Sequence, residues 1–179
     1  MIKHKSIPKR EFNYCPICGE KLLVDSIEGK DRKNCRSCGF VDYKNPLPCV
    51  SIIGIKENKI ALIKRGIEPS KGSWAPPSGF MEAGEKPEET ALRELYEETS
   101  LKGEVIELLS VHTHDVEIYG SLLIIIFLVR ITGGDIKAGD DALDAKFFEL
   151  EETPEMKHDF YHDSIEKAKN LIKKRYKLK

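Results

Sequence analysis

The 179-residue sequence lacks an excess of charge of either sign. Lys and Arg total 29 against 30 for Asp and Glu, leaving a formal net charge of −1. That balance excludes the basic profile of a nucleic-acid coat or a membrane-surface binder, so neither a nucleic acid nor a membrane is expected as partner. Long apolar runs are lacking too. The longest, Leu122–Val129, falls far short of the ~20 residues of a membrane-spanning helix. The N-terminus carries no apolar segment of the signal-peptide kind, so the expected location is the cytoplasm. Internal repeats and low-complexity segments are absent. Positive charge gathers only at the ends, at Lys3, Lys5, Lys9 and Arg10 and again at Lys173, Lys174, Arg175, Lys177 and Lys179. Such runs read as solvated tails rather than as a polyanion-binding surface.

What is present is a folded protein's composition, 40% apolar and 33% charged, at a length suited to one ordinary domain plus a small appendage. Three segments are expected: a basic N-terminal tail (1–11), a cysteine-rich ribbon (12–41) and a larger domain (42–179). The ribbon has few large apolar residues and needs a staple. Cys15-Pro-Ile-Cys18-Gly and Cys35-Arg-Ser-Cys38-Gly supply it, two Cys-x-x-Cys pairs separated by 16 residues. Two-residue spacing lets both thiolates of a pair reach one ion, and two pairs complete a tetrahedron. All four ligands are thiolates, leaving no place for water, so Cys15, Cys18, Cys35 and Cys38 are expected to hold a structural Zn²⁺. A reducing compartment favours metal over disulfides here. Cys49 lies outside the pattern and reads as a small buried apolar residue.

The two prolines of Asp42–Pro48 mark a short linker. Beyond it, Cys49–Ile55 and Ile60–Lys64 read as a hairpin turning at Glu57–Lys59. The stretch from Ser70 to Gly84 is punctuated by Pro76, Pro77, Gly79 and Gly84 and reads as loop. Pro87 opens a helix running to about Ser100, with Glu88 and Glu89 suited to its first turn. Strands are expected near Val105–His112, Leu122–Ile131 and Lys146–Leu150, and a last helix at about Asp163–Tyr176. The pattern is that of an α/β fold with a mixed sheet.

The Pro87 helix carries the chemistry. At about 100° per residue, Glu94, Glu97 and Glu98 crowd one face, while Ala91, Leu92, Leu95 and Thr99 form an adjoining arc for packing. Like charges three and four residues apart destabilise an isolated helix. A hard divalent cation held by oxygen ligands relieves the repulsion. Glu82 and Glu85 in the preceding loop add to the acidic cluster, which a solvated charge run would not require.

Gly79, five residues, Glu85, seven residues and then Arg93-Glu94-Leu95-x-Glu97-Glu98-x-Ser100-Leu101 resembles the Nudix box. The departure is Ser100, where the family has a glycine that ends the helix in a left-handed turn. The resemblance covers about residues 42–155. It implies a Nudix α/β/α sandwich with a mixed sheet, here preceded by the four-cysteine ribbon, and metal-dependent hydrolysis of a nucleoside-diphosphate-linked small molecule. By position it implies Glu94, Glu97 and Glu98 as ligands of Mg²⁺ or Mn²⁺, with a loop carbonyl at Ser78 or Gly79. Arg93 would orient the carboxylates, and Glu85 would fix the loop to the helix. The general base is either Glu94 or an acid of Gly139–Asp144, where Asp141 resembles a late acidic ligand of the family. A homodimer is the assembly the resemblance suggests.

A ribbon directly before such a domain resembles two groups, the NADH pyrophosphatases and the pyrophosphatases acting on FAD and ADP-ribose. The Ser-Gln-Pro-Trp-type array of the first group is missing from Val111–Ser121. Tyr43-Lys44-Asn45-Pro46, the stretch Lys64–Ser70 and Asp141-x-x-Asp144-Ala145-Lys146-Phe147-Phe148 are similar to the second. FAD or ADP-ribose, cleaved to release AMP, is therefore the expected substrate, with NADH as the alternative. A non-catalytic nucleotide sensor and an RNA-binding module are readings of a different class. The intact carboxylate set opposes the first, and near-neutral charge with scarce ribbon aromatics opposes the second. Trp74, Tyr43 and Arg65 are substrate-binding candidates; for Trp74 a core role, and for Tyr43 a plain surface role, compete. His112 and His114 share one strand face, where packed or surface histidines compete with a ligand pair.

Overall fold

A computed structural model describes residues 11–176. The basic tail from Lys3 to Arg10, together with Lys177 and Lys179, lies outside the described residues. The chain divides into two compact units. One takes the chain up to Leu47 with Asp115–Ser121, and the other comprises Pro48–His114 and Leu122 onward.

In the first unit, β1 (Leu23–Ile27) and β2 (Lys30–Asn34) form an antiparallel hairpin. Glu28 and Gly29 turn it with positive φ at both positions, the geometry that matches strand twist. On either side stands a cysteine knuckle, and the two repeat one hydrogen-bond pattern. Cys15 N–H donates to Glu20 O (2.7 Å) and Gly19 N–H to Cys15 O (2.9 Å); Cys35 N–H donates to Phe40 O (2.7 Å) and Gly39 N–H to Cys35 O (2.9 Å). Gly19 and Gly39 take φ of 79° and 80°, a region costly for side chains, which is why each pair is followed by glycine. Among the described residues, the apolar core of this unit is Cys15, Leu22 and Cys35 with Phe40 against them.

The second unit is built on a seven-stranded sheet of β3 (Leu47–Lys56), β4 (Lys59–Arg65), β5 (Trp74–Ala75), β6 (Ser78–Phe80), β7 (Lys102–Val116), β8 (Gly120–Gly133) and β9 (Ala142–Glu149). Its main path runs β5-β4-β3-β8-β7, with β6 paired to β3 and β9 to β4. Helices α1 (Pro87–Thr99) and α2 (Asp159–Tyr176) cover it. Strand alternation assigns the faces. Val50 and Ile52 of β3 and Phe127, Val129 and Ile131 of β8 pack with Ala91 and Leu95 of α1. Ile55 and Leu128, of opposite parity, share a cavity wall with Ile172 of α2. This is the expected α/β/α sandwich. No helix among the described residues is long and apolar enough to cross a membrane.

Differences from the sequence reading are local. β5 and β6 lie in the stretch expected as loop; two- and three-residue strands owe their form to the β4 and β3 edges they join, not to their own propensity. β7 starts at Lys102 and β3 at Leu47, earlier than expected. α2 starts at Asp159 rather than Asp163, because Tyr161 is buried and draws the first turn onto the sheet.

Pro87 does open α1, and the Glu89 carboxylate accepts the Lys86 N–H at 3.0 Å. The helix ends at Ser100 with φ 60° and ψ 11°, its N–H donating to Tyr96 O at 2.7 Å. The left-handed cap therefore persists without glycine, at the steric cost of a Cβ in that region. Ser100→Gly should relieve it and stabilise the protein by about 1 kcal/mol, read as a higher urea midpoint at unchanged slope; a lower midpoint would show that the serine hydroxyl contributes more than the strain costs.

Candidate active site and metal centre

The acidic site forms where β6 and its following loop meet α1. Two of the three helix carboxylates are buried, Glu94 at 8% and Glu98 at 6% exposure, while Glu97 is exposed. Burying carboxylates is costly unless something satisfies them, and each has an identifiable partner. Glu98 Oε2 accepts the Ser78 N–H at 2.8 Å. Glu94 Oε1 accepts Arg93 Nη1 at 2.6 Å, and the same Nη1 reaches Glu97 Oε2 at 3.0 Å.

Arg93 binds loop and helix into one piece. Its Nε and Nη2 donate to the two oxygens of Glu85 at 2.6 and 2.9 Å, and Nη2 also donates to Phe80 O at 3.1 Å. Glu85 Oε2 further accepts the Glu82 N–H (3.0 Å) and the Thr90 hydroxyl (2.8 Å). The Arg93 guanidinium, with those donors, holds the Glu85 carboxyl down at about 2. Such a bidentate fork is geometry that lysine does not supply.

Gly79 passes so close to α1 that a Cβ there would overlap the Glu94 carboxylate. Register fixes this approach: β6 pairs with β3 as Val50↔Gly79 and Ser51↔Ser78. The loop before β9 closes the far side, with Lys137 N–H on Thr99 O (2.9 Å) and Gly139 N–H on Glu98 O (3.1 Å). These bonds use carbonyls that the helix end leaves free.

Electrostatics follow from this enclosure. Burial pushes the Glu98 carboxyl up to about 8, with the Glu94 and Asp140 charges adding to it and the Ser78 N–H and Arg65 opposing. Burial also raises Glu94, against the pull of Arg93. Asp140 is thus the loop acid whose charge acts on both. Asp141, the position singled out from the sequence, is exposed, and its carbonyl accepts the Gly66 N–H at 2.8 Å. Asp144 is engaged with Lys146 at 2.7 Å.

The other sequence candidates fall elsewhere. Trp74 packs edge-on against Phe148 (centroids 4.8 Å apart), with Lys146 Nζ 5.7 Å over its ring. Arg65 is half-buried and donates from Nε to Pro69 O at 2.9 Å. Tyr43 belongs to the ribbon unit, half-exposed, with the Arg32 guanidinium 4.7 Å over its ring. His112 and His114 pack against Phe160 and His158. Sequence reasoning missed the Ser78 N–H as partner of Glu98, because a backbone donor leaves no letter in the sequence. It also missed His158 and Phe160, whose signal was masked by starting α2 too late.

In the ribbon, the ligand atoms of Cys15, Cys18, Cys35 and Cys38 all lie within 4.8 Å of one another. The Cys15–Cys38 and Cys18–Cys35 sulfurs are 3.4 and 3.5 Å apart. A tetrahedron with metal–sulfur bonds of ~2.3 Å needs sulfurs about 3.8 Å apart, so the four thiols are already spaced for one soft or borderline cation.

The NUDIX domain family matches residues 45–168. An ADP-ribose pyrophosphatase of Methanocaldococcus jannaschii is 45% identical over 150 residues, covering 83% of this chain and 85% of its own. The NAD-capped RNA hydrolase NudC of Vibrio parahaemolyticus is 26% identical over 81% of this chain, which spans only 54% of NudC. A crystal structure of a NUDIX hydrolase from Nitrosomonas europaea aligns with TM-score 0.78 and 29% identity, over 92% of this chain and 93% of that one. With the domain matched over more than half its length and a relative this similar across most of both chains, the protein belongs to the Nudix hydrolase family.

Proposed function

We propose that the protein hydrolyses the pyrophosphate of ADP-ribose, releasing AMP, with Mg²⁺ or Mn²⁺ at Glu94, Glu97 and Glu98. The reaction class rests on one observation: three carboxylates converge on one helix face, two of them buried, with the Arg93 guanidinium ion-paired to Glu94 and Glu97. That donor set, hard oxygens with surplus negative charge, fits a hard divalent cation. The substrate rests on the relative named an ADP-ribose pyrophosphatase, 45% identical over most of both chains; FAD belongs to the same substrate class.

Bound there, a divalent cation would offset charge on the pyrophosphate oxygens and lower the pKa of an attacking water. The chain's own residues do the positioning. Arg93 holds Glu94 and Glu97 at the site, Glu85 ties Arg93 to the loop, and the Ser78 N–H aims Glu98. The carbonyl at Ser78 or Gly79 would complete the oxygen set. The proton of the attacking water passes to a carboxylate beside it, Glu94 or an acid of the Asp140–Asp141 loop. Trp74, Tyr43 and Arg65 remain substrate-binding proposals, of which Arg65 is the one whose charge acts on Glu98. The ribbon cysteines would hold Zn²⁺ in a structural role, an arrangement suited to a reducing cytoplasm.

The deciding assay gives the purified protein ADP-ribose, FAD, NADH, diadenosine polyphosphates and capped RNA with Mg²⁺ or Mn²⁺. AMP release fastest from ADP-ribose is expected; binding without hydrolysis of any of them would make it a nucleotide sensor. Glu98→Gln should keep the fold and cut turnover at least about a hundredfold, the scale on which metal-site residues act; near-wild-type turnover with Mg²⁺ would remove Glu98 from the site. Gly79→Ala should push Glu94 aside and lower turnover while far-UV circular dichroism stays unchanged, whereas full activity would mean the loop can yield. Elemental analysis should find one zinc per chain, lost in Cys15→Ala along with ribbon stability; zinc-free wild-type protein would refute the structural zinc.

A further inference from the structure

The middle of β7 and the start of α2 bring four aromatic rings together outside the carboxylate cluster. Phe160 is stacked with His112 (centroids 5.2 Å apart, planes at 24°) and with His158 (5.1 Å, 4°). His114 meets His158 edge-on at 4.4 Å and Phe160 at 5.9 Å. All four are half-buried, so part of each ring surface remains open. The Nε2 of His112 is buried with no hydrogen-bond partner among the described residues.

As plain packing this is a poor choice of side chains. Imidazoles cost more to bury than leucine or phenylalanine. Here they gather at the N-terminus of a helix, whose partial positive charge disfavours a cation, beside Lys157. Burial first, then His114, Lys157 and Arg65, holds His158 below the ordinary histidine range, with only Asp159 opposing. A neutral imidazole presents one donor, one acceptor and a π face, which matches the edge and face of a nucleobase.

Arg65 ends β4 opposite Ala142, next to the Gly66 N–H bond to the carbonyl of Asp141 in the acidic loop. Its charge acts on Glu98 and on His158, and also on Cys49 and Tyr161. Arg32, Arg36, Arg93 and Arg130 each form an ion pair. Among arginines whose side chains are described, Arg65 alone does not. Its Nε bond to Pro69 O orients the guanidinium, whose remaining donors suit a phosphate.

We infer that His112, His114, His158 and Phe160 form a base-stacking subsite, on which the purine of the substrate lies while Arg65 grips the phosphate between that base and the α1 carboxylates. This rests on the pyrophosphohydrolase reading and deepens it, naming the half of the substrate that the enzyme recognises. Stacking supplies binding energy through ring area, and the histidine nitrogens supply the edge contacts.

The test is histidine side-chain NMR of the full-length protein, titrated separately with adenosine, AMP, ribose 5-phosphate and inorganic phosphate. Adenosine and AMP should shift the His112, His114 and His158 signals, and ribose 5-phosphate and phosphate should shift them far less. His158→Ala should weaken AMP binding about tenfold, as loss of one base–ring stack does, with the loss in KM rather than kcat. His158→Phe should restore most of it. Signals that move equally with phosphate would mark an anion site and overturn the proposal, as would silence towards adenosine. Adenosine binding here in a protein that hydrolyses no nucleotide would leave the subsite standing and remove the hydrolase reading instead.

Discussion

Repulsion among Glu94, Glu97 and Glu98 is the constraint to which the larger domain is fitted. An isolated helix bearing these three on one face would be weakened by them, and two of the three are also withdrawn from water. Arg93 answers with a guanidinium that touches Glu85, Glu94, Glu97 and the Phe80 carbonyl at once. Because one planar group spans helix, loop and strand end, the loop after β6 cannot shift without disturbing the carboxylates. Charge left over after Arg93 is what a divalent cation would take up.

Backbone geometry carries as much of the site as side chains do. The Ser78 N–H holds Glu98, Gly79 makes room for Glu94, and the carbonyls of Glu98 and Thr99 anchor the loop bearing Asp140. The first two depend on β6 pairing with β3 in one register, since a slip of one residue would turn Gly79 away and put a side chain against Glu94. Burial on the α1 face, with Val50, Ile52, Leu95 and Val129 packed together, holds that register. The core and the acidic site are therefore consequences of one packing arrangement. The ribbon solves a different problem: with three buried residues and one ring as its core, it uses four sulfurs to close what apolar area cannot.

Much of this was legible from residue spacing. The two Cys-x-x-Cys pairs, Pro87 at the head of α1, the carboxylate face and the apolar β8 run all encode short-range geometry, and short-range geometry is what a linear pattern can express. Where contact between distant segments decides, legibility ended. β5 and β6 were hidden because their pairing partners make them strands. Asp140 and Asp141 are neighbours with the same chemistry, yet the Asp140 charge bears on Glu94 and Glu98 while the Asp141 carbonyl accepts the Gly66 N–H. Trp74 meets Phe148 edge-on, a contact between β5 and β9 that no local spacing expresses.

The sequence by itself determined the paired Cys-x-x-Cys and clustered carboxylate patterns, the helix and its charged face, and the likeness to the Nudix family, because each is set by residue types at fixed local separations. The tertiary structure alone decided that Glu94 and Glu98 are buried while Glu97 is not, that Arg65 forms no ion pair among the described residues, and that His112 of β7 and His158 just before α2 both stack with Phe160. Those facts depend on which faces the sheet covers and which segments it brings together, and no local spacing carries that information.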